Sequence, residues 1–189
     1  MKGENIRSIR KGFERCHWGN VKVFECQEVA IYGGGMLRGA NPLVADIVID
    51  LAGNVEAIQA PLGWRIAQYT KPVVKIPIED FDAPQLPTVF WQDLWADLVE
   101  HPGRVLVCCE GGHGRTGMVL AILACVAGVV PEEEDPVEWV RKRYCINAVE
   151  TLEQINYIAS ITGRKVNAKP RIDRGSELLH SRWWERMWE

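Results

Sequence analysis

The fold is indicated most clearly by the segment Val105-Leu-Val-Cys-Cys-Glu-Gly-Gly-His-Gly-Arg-Thr-Gly117. This segment joins the pattern of a strand, a glycine-rich turn and the start of a helix without a break. Residues 104–108 are a short and largely apolar run that follows Pro102-Gly103, which is typical of a buried strand. Residues 109–114 form a tight glycine-rich turn. The residues from Met118 to Ala124 are all apolar, which predicts a helix buried on every side.

A strand, a glycine-rich loop and a helix N-terminus together predict an anion-binding site. Glycines allow several backbone N–H groups to converge, and the helix dipole favours negative charge at that end. The loop begins with the thiol of Cys109 and ends with the guanidinium of Arg115. A thiolate attacks where its surroundings lower its pKa, and a guanidinium binds an oxyanion through two hydrogen bonds. The spacing therefore places a nucleophile and a clamp around one bound oxyanion.

Strand and helix patterns alternate along the rest of the chain. Strands are predicted at residues 21–26, 28–32, 46–51 and 73–78, and helices at residues 55–68, 88–100, 137–143 and 150–162. Thr88 is expected as an N-cap, and the tryptophans of the helix that follows as core residues. Gly33-Gly34-Gly35 predicts a flexible turn.

This order of elements indicates an α/β fold: a single domain with a central, mostly parallel sheet flanked by helices. Sheets of this kind bind ligands at the carboxyl ends of their strands. The loop that starts at Cys109 follows such a strand end, so we expect the functional site there.

Composition predicts one ordinary globular domain. The chain has 189 residues, 47% of them hydrophobic and 25% charged, which is enough to bury a substantial core. The formal net charge of −3 offers no attraction to nucleic acid or to an anionic membrane surface, so we expect neither as a partner. The first residues contain no apolar segment typical of a signal peptide, and we expect no membrane-spanning helix.

The six cysteines predict reduced thiols in a cytoplasmic protein. Cys108 and Cys109 are adjacent, and Cys125 lies in the apolar helix, so the spacing does not suggest a disulfide framework. Cys16-His17 and Cys26 do not repeat as a pair of metal ligands. We therefore expect no metal and no cofactor.

The chain divides into three segments by its patterns. Residues 1–35 are expected to form an N-terminal extension with two strands that pair as a hairpin, and residues 36–163 the main domain. Residues 164–189 are a basic, tryptophan-rich tail, in which residues 176–189 fit an amphipathic helix. Two interpretations of the tail stay open: a surface for a partner or for self-association, or a helix that packs on its own domain.

The run Cys109-Glu-Gly-Gly-His-Gly-Arg115-Thr116 resembles the signature loop of the protein tyrosine phosphatase superfamily, in its compact dual-specificity branch. The family pattern is His-Cys-x5-Arg-Ser/Thr, and Cys108 stands here where the family has histidine. The similarity extends over roughly residues 40–162 and includes the turn Thr151-Leu-Glu-Gln154. By the same resemblance, Arg143 is expected to support the loop from below.

The resemblance implies a phosphatase domain at residues 36–163 that hydrolyses phosphomonoesters on phosphorylated proteins through a cysteinyl-phosphate. Phosphotyrosine is the expected substrate, with phosphoserine and phosphothreonine as further ones, and lipid phosphates and RNA 5′-phosphates stay open as alternatives. Cys109 would attack phosphorus, Arg115 would bind the equatorial oxygens, and the Thr116 hydroxyl would stabilise Cys109 as the leaving group of the second step. The residues that would bind the substrate phosphate are Glu110, Gly111, Gly112, His113, Gly114 and Arg115, with His113 at the pocket rim.

The family also carries a general acid, an aspartate on a loop before the cysteine, and residues 76–84 resemble that loop. Asp80 takes the family position, directly before Phe81. Asp82 and Glu79 remain alternatives, and all three acids also suit an exposed turn.

Two other functions remain open at the level of sequence. Cys108 in place of the histidine, next to a second thiol, fits a catalytically weak pseudophosphatase that only binds phosphate. A similar oxyanion loop occurs in rhodanese-like sulfurtransferases and in arsenate reductases. An acid at Asp80 argues against these thiol enzymes, because sulfur transfer requires no leaving-group acid.

Overall fold

The strand that leads into the glycine-rich loop lies in the middle of a five-stranded sheet. A computed structural model describes residues 17–53 and 71–172. The strands are β1 (Val21–Cys26), β2 (Val29–Gly35), β3 (Ile47–Asp50), β4 (Val73–Lys75) and β5 (Arg104–Cys109). Their order across the sheet is β1-β2-β5-β3-β4; β1 pairs antiparallel with β2, and the other pairs are parallel. The expected α/β fold with a mostly parallel sheet is confirmed.

Four α-helices lie within the described residues: α1 (Thr88–Glu100), α2 (Gly114–Val126), α3 (Pro136–Arg143) and α4 (Leu152–Thr162). Local sequence explains where α3 and α4 begin. The Asp135 carboxylate accepts the first N–H groups of α3, and Thr151 and Gln154 form a capping box at α4. The helix expected at residues 55–68 lies outside the described residues.

Thr88 begins α1 but is not its N-cap. The N-cap is Pro87, which makes no side-chain capping bond, and the Thr88 hydroxyl donates instead to the carbonyl of Ile161, 3.3 Å away. Trp91 and Trp95 of α1 are buried in the core as predicted.

The central helix α2 joins the layers of the molecule. It contacts β2, β5 and the three other helices, and its residues from Gly114 to Ala124 are all buried, as the all-apolar run predicts. Neighbouring residues of a strand point to opposite faces of the sheet. Accordingly, Cys109 belongs to the large core cluster that contains α2, whereas Cys108 belongs to a smaller cluster with Leu106 and Met36.

The prediction of a flexible turn at Gly33-Gly34-Gly35 is wrong, because these glycines continue β2 and pair with Val107, Cys108 and Cys109 of β5. Close packing explains why all three positions are glycine. A Cβ at Gly33 would lie 2.7 Å from Leu120 Cδ1, one at Gly34 2.7 Å from Ala40 Cβ, and one at Gly35 2.5 Å from the Gly111 oxygen.

The domain boundary predicted at residue 36 cuts through the folded unit. β1 and β2 form the expected hairpin, but β2 is also the parallel neighbour of β5, so residues 21–35 are part of the sheet that carries the loop. The tail helix expected at residues 176–189 lies outside the described residues. Within the described part of the chain, no helix combines the length and the apolar character needed to cross a bilayer.

Candidate active site

The loop after β5 places the Cys109 thiol at the N-terminus of α2. Gly112 has a positive φ of 75°, which lets the chain turn back, and its N–H lies 3.2 Å from Cys109 Sγ. The Thr116 hydroxyl donates to the same sulfur over 3.1 Å and lies 3.5 Å from the Gly34 carbonyl. Two donors therefore face the sulfur, and both stabilise negative charge on it.

Arg115 lies in the first turn of α2 and reaches across to the loop after β4. Its Nη1 donates to the carbonyl of Ile78 over 3.0 Å, and its Nη2 lies 2.9 Å from Asp80 Oδ1. The Glu110 carboxylate is farther from the same nitrogen, at 3.8 Å. Arg115 Nε is buried and has no hydrogen-bond partner among the described residues. A buried donor in this condition indicates a site for an acceptor such as a ligand oxygen.

The three candidate acids differ in what their carboxylates contact. Asp80 is paired with Arg115, and its side chain is 56% exposed. Asp82 accepts the N–H of Ala83 over 2.9 Å, as a turn residue does, and Glu79 is exposed. Of the three, only Asp80 forms an ion pair with Arg115.

The start of α4 holds the loop that carries these acids. Phe81 has a positive φ of 64°, and its carbonyl accepts the Thr151 hydroxyl over 2.9 Å. Gln154 Nε2 donates to the carbonyl of Asp82 over 3.3 Å. Gln154 therefore fixes the acid loop as well as capping α4.

Tyr144 is a supporting residue that sequence reasoning missed. It follows α3 directly, and its hydroxyl donates to the carbonyl of Gly112 over 2.6 Å. The Glu110 carbonyl is held from another direction by the N–H of Leu37, at 3.0 Å. No local pattern around Tyr144 or Leu37 signals these contacts, because both partners are distant in the chain.

The arginine that supports the site from below is Arg141 and not Arg143. Arg141 is buried and donates to the carbonyls of Ala148, Val149 and Lys169 at 2.9–3.0 Å. The Val149 N–H in turn lies 3.4 Å from the carbonyl of His113 in the loop. Arg143 instead lies over the ring of Trp139, 4.3 Å from its centre. The helical period explains the error, because two residues along a helix change the face on which a side chain lies.

His113 was expected at the pocket rim, but its side chain is only 14% exposed and packs inward. Its Nδ1 lies 3.6 Å from Glu150 Oε1, and its ring meets the ring of His17 edge to face, with centres 5.1 Å apart. His17 also packs on Tyr144, and burial lowers the pKa of His17 to about 4.

Cys108, at the position of the family's histidine, serves to pack the sheet. It is fully buried on the face opposite Cys109, with Leu106, Val48 and Met36 around it. Burial raises the pKa of the Cys108 thiol far above its usual range, and nearby Asp50 adds to this effect. Cys108 therefore stays neutral and apolar in character, and the contacts that hold the loop come from Tyr144 and Leu37.

Comparisons with known proteins agree with this geometry. A family model described as "PTP-SAK: Swiss Army Knife protein, DSP-PTPase phosphatase domain" matches residues 51–165, which is more than half of the chain. Two uncharacterized proteins of Methanocaldococcus jannaschii are 43% and 47% identical to it over 91 residues. These matches cover 46% of this chain and 53% and 57% of the relatives, so the chain spans about half their length.

Solved structures with the same fold include Tk-PTP in its active form, with a TM-score of 0.56 and 23% identity over 77% of this chain and 97% of that one. The human tyrosine phosphatase-like serine/threonine/tyrosine-interacting protein has a TM-score of 0.52 and 12% identity, over 75% and 94% of the two chains. At these identities the similarity shows the fold alone. Together with the family match, these findings show that the chain belongs to the protein tyrosine phosphatase superfamily, as a compact protein of the dual-specificity type.

Proposed function

We propose that this protein is an active cysteine-dependent phosphatase that hydrolyses phosphomonoesters on phosphorylated proteins through a cysteinyl-phosphate on Cys109. The observation that carries the proposal is the convergence of Cys109, Arg115 and Asp80. The Cys109 sulfur faces two donors, the buried Nε of Arg115 has no partner among the residues that the structure describes, and Asp80 lies 2.9 Å from the same guanidinium. This arrangement supports Cys109 as the nucleophile, Arg115 as the oxyanion clamp and Asp80, on the neighbouring loop after β4, as the proton donor.

Substrate binding requires an exchange of partners at Arg115. The phosphate dianion takes the place of the Asp80 carboxylate on Nη2 and accepts a second bond from Nε. Backbone N–H groups of residues 110–115 bind the remaining oxygens. Asp80, released from the guanidinium, is then free to take up a proton and to face the leaving group.

In the first step, the Cys109 thiolate attacks phosphorus, the S–P bond forms, and the bond from phosphorus to the leaving oxygen breaks. Asp80 gives its proton to that oxygen. Asp80 is 56% exposed while Cys109 is 3% exposed, so the alcohol leaves on the solvent side of the buried sulfur. Arg115 stabilises the charge that spreads over the equatorial oxygens of the transition state.

In the second step, water attacks phosphorus, Asp80 accepts a proton from it, and the S–P bond breaks to release inorganic phosphate. The sulfur departs as a thiolate. The Thr116 hydroxyl, 3.1 Å from Sγ, donates to that thiolate and lowers the barrier to its departure.

Hydrolysis of a phosphotyrosine peptide and of phenyl phosphate tests the proposal. Cys109→Ser should abolish turnover, because a serine hydroxyl is a far weaker nucleophile at neutral pH. Asp80→Asn should lower kcat by about 10²–10⁴-fold, the usual share of a general acid. Asp82→Asn is the matched control and should change kcat little, because the Asp82 carboxylate binds its own turn.

Three outcomes would contradict the proposal in different ways. Full activity of Cys109→Ser would reject the mechanism. A loss confined to Asp82→Asn would reassign the general acid. Absence of turnover in the wild type, with retained affinity for vanadate, would support the pseudophosphatase that only binds phosphate.

Substrate range is part of the same proposal. The Asp80 side chain is 56% exposed, so it can reach both aryl and alkyl leaving groups, and we propose phosphotyrosine together with phosphoserine and phosphothreonine as substrates. Peptides that differ only in the phosphorylated residue measure this range through kcat/KM. We also propose a cytoplasmic location, because Cys109 has to stay reduced in order to act.

A further inference from the structure

Three side chains that bind metals well meet beside the phosphate loop. One ligand atom from each of His17, His113 and Cys145 lies within 4.8 Å of the other two. His17 precedes β1, His113 belongs to the loop itself, and Cys145 follows α3 by two residues. The cluster is buried, with His17 and Cys145 exposed by 6% and 2%. The fold thus brings together three potential ligands from distant parts of the chain.

The imidazole of His17 is buried without hydrogen bonds to the described residues. Both of its ring nitrogens are buried, and neither has a hydrogen-bond partner among the described residues. A buried polar atom without a partner costs free energy, and in a native protein it points to a ligand such as an ion.

The surroundings hold the two imidazoles in place. His113 Nδ1 lies 3.6 Å from the Glu150 carboxylate, and a carboxylate is the kind of partner that orients a metal-bound histidine. The ring of His17 packs on Tyr144, with centres 4.6 Å apart. At Gly112, a Cβ would come within 2.5 Å of His17 Nε2, so glycine leaves the room that the imidazole occupies.

We propose that His17, His113 and Cys145 bind a Zn²⁺ ion next to the phosphate loop. Two imidazoles and one thiolate are typical zinc ligands, and water would complete a tetrahedral site. With bonds of about 2.0–2.3 Å, ligand atoms of such a site lie roughly 3.3–3.8 Å apart, so separations below 4.8 Å require only small side-chain movements. The thiol of Cys145 gives up its proton to solvent when the ion binds.

Bound zinc would tie the segment before β1 and the end of α3 to the loop through His113. The ion therefore stabilises the folded chain and fixes one side of the loop, without taking part in the proposed reaction. This inference does not depend on the phosphatase proposal, because none of its ligands is a reacting group.

The test uses the whole 189-residue chain with Cys109→Ser, so that neither the proposed nucleophile nor turnover contributes to the signal. After removal of metals with a chelator, the protein is titrated with Co²⁺, whose thiolate complexes absorb in the near ultraviolet, and then with Zn²⁺. We expect one Co²⁺ per chain, a thiolate-to-cobalt band, displacement by Zn²⁺, and a higher melting temperature with zinc.

Substitutions identify the ligands. Cys145→Ser should abolish the cobalt band, His17→Gln should weaken binding of both ions, and Glu150→Gln should weaken it by roughly 10–100-fold through His113. Cys125→Ser and His101→Gln are matched controls outside the cluster and should bind as the parent does. Circular dichroism confirms that each variant folds, and His17→Gln still tests the site if Cys145→Ser does not fold.

Two results would overturn the proposal: absence of stoichiometric binding by the parent, or equal binding by the parent, His17→Gln and Cys145→Ser. Failure of the phosphatase proposal is distinguishable from failure of the zinc proposal. It would leave the wild type without turnover, while the cobalt band and its loss in Cys145→Ser persisted.

Discussion

At the scale of single residues, the site depends on what lies next to each reacting group. The Cys109 sulfur receives hydrogen bonds from Gly112 N–H and from the Thr116 hydroxyl, while its neighbour Cys108 packs on the other face of the sheet. The two adjacent cysteines therefore differ in character in spite of their identical side chains. The Cys109 sulfur lies among hydrogen-bond donors, whereas burial among apolar residues raises the pKa of the Cys108 thiol.

Thr116→Ala should slow the second step of the proposed reaction more than the first. The hydroxyl that stabilises the departing thiolate is lost, and a hydrogen bond to a charged group contributes about 1.5–3 kcal/mol, or roughly 10–100-fold in rate. Rapid mixing with an aryl phosphate should then show a burst of phenol followed by a slow steady state. Thr116→Ser keeps the hydroxyl and should behave as the wild type. A slower burst with an unchanged steady state would contradict this role.

At the scale of elements, the helices that follow the loop in sequence hold it in space. The end of α3 supplies Tyr144, which binds the Gly112 carbonyl, and the start of α4 supplies Thr151 and Gln154, which bind the acid loop. Arg141 of α3 fixes the carbonyls that precede α4. The position of the phosphate loop relative to the acid loop therefore depends on α3 and α4.

Tyr144→Phe should weaken phosphate binding, because the carbonyl of Gly112 loses a hydrogen bond of 2.6 Å and the loop becomes more mobile. We expect a loss of about 1 kcal/mol in the free energy of unfolding together with a higher KM. Inhibition by vanadate measures the affinity of the loop directly.

Tyr157→Phe is the matched control for this change. Its hydroxyl accepts from Trp91 and donates to the carbonyl of Leu86, away from the loop. It should lose comparable stability at unchanged affinity for vanadate. Equal effects of the two variants on vanadate binding would show that Tyr144 acts on stability alone.

At the scale of the whole molecule, the N-terminal hairpin packs against the glycine-rich loop and helps to position it. β2 is the parallel neighbour of β5, and its last residue, Gly35, lies against the backbone of Gly111 and Gly112. The segment before β1 carries His17 to the same place. The loop is thus enclosed by parts of the chain that precede it by many residues.

Gly35→Ala should displace the phosphate loop, because the new methyl group would lie 2.5 Å from the Gly111 oxygen. Overpacking of this kind costs about 1–3 kcal/mol, and here the strain falls on the backbone that is proposed to bind the phosphate. We expect lower stability and a marked loss of affinity for vanadate, measured by thermal unfolding and by inhibition of phenyl phosphate hydrolysis.

Gly34→Ala provides the control, since its methyl group would be equally crowded, 2.7 Å from Ala40 Cβ, without reaching the loop. It should lose stability and keep its affinity for vanadate. If both variants lose affinity to the same extent, the effect comes from general destabilisation of β2.

Much of the fold was predictable because its signals are local. The apolar run from Met118 to Ala124, the capping box at Thr151 and the acid-rich turn before α1 are all contained within a few residues. The glycines of β2 failed as a signal, because a glycine next to a tight contact and a glycine in a flexible turn look alike in sequence. The prediction that Arg143 supports the loop is wrong for a similar reason, because only packing decides whether Arg141 or Arg143 is buried.

The candidate reacting groups can be identified from the sequence alone: a thiol, five intervening residues and an arginine, followed by a hydroxyl, together with the carboxylates of residues 79–82. These features are local, because the thiol, the arginine and the hydroxyl lie on one turn between a strand and a helix, and the carboxylates lie together on a second turn. Three further features are visible only in the folded chain: the carboxylate that pairs with Arg115, the tyrosine that holds the loop, and the cluster of His17, His113 and Cys145. Contacts of this kind join residues that are far apart in the chain, and the packing of the sheet and helices brings them together.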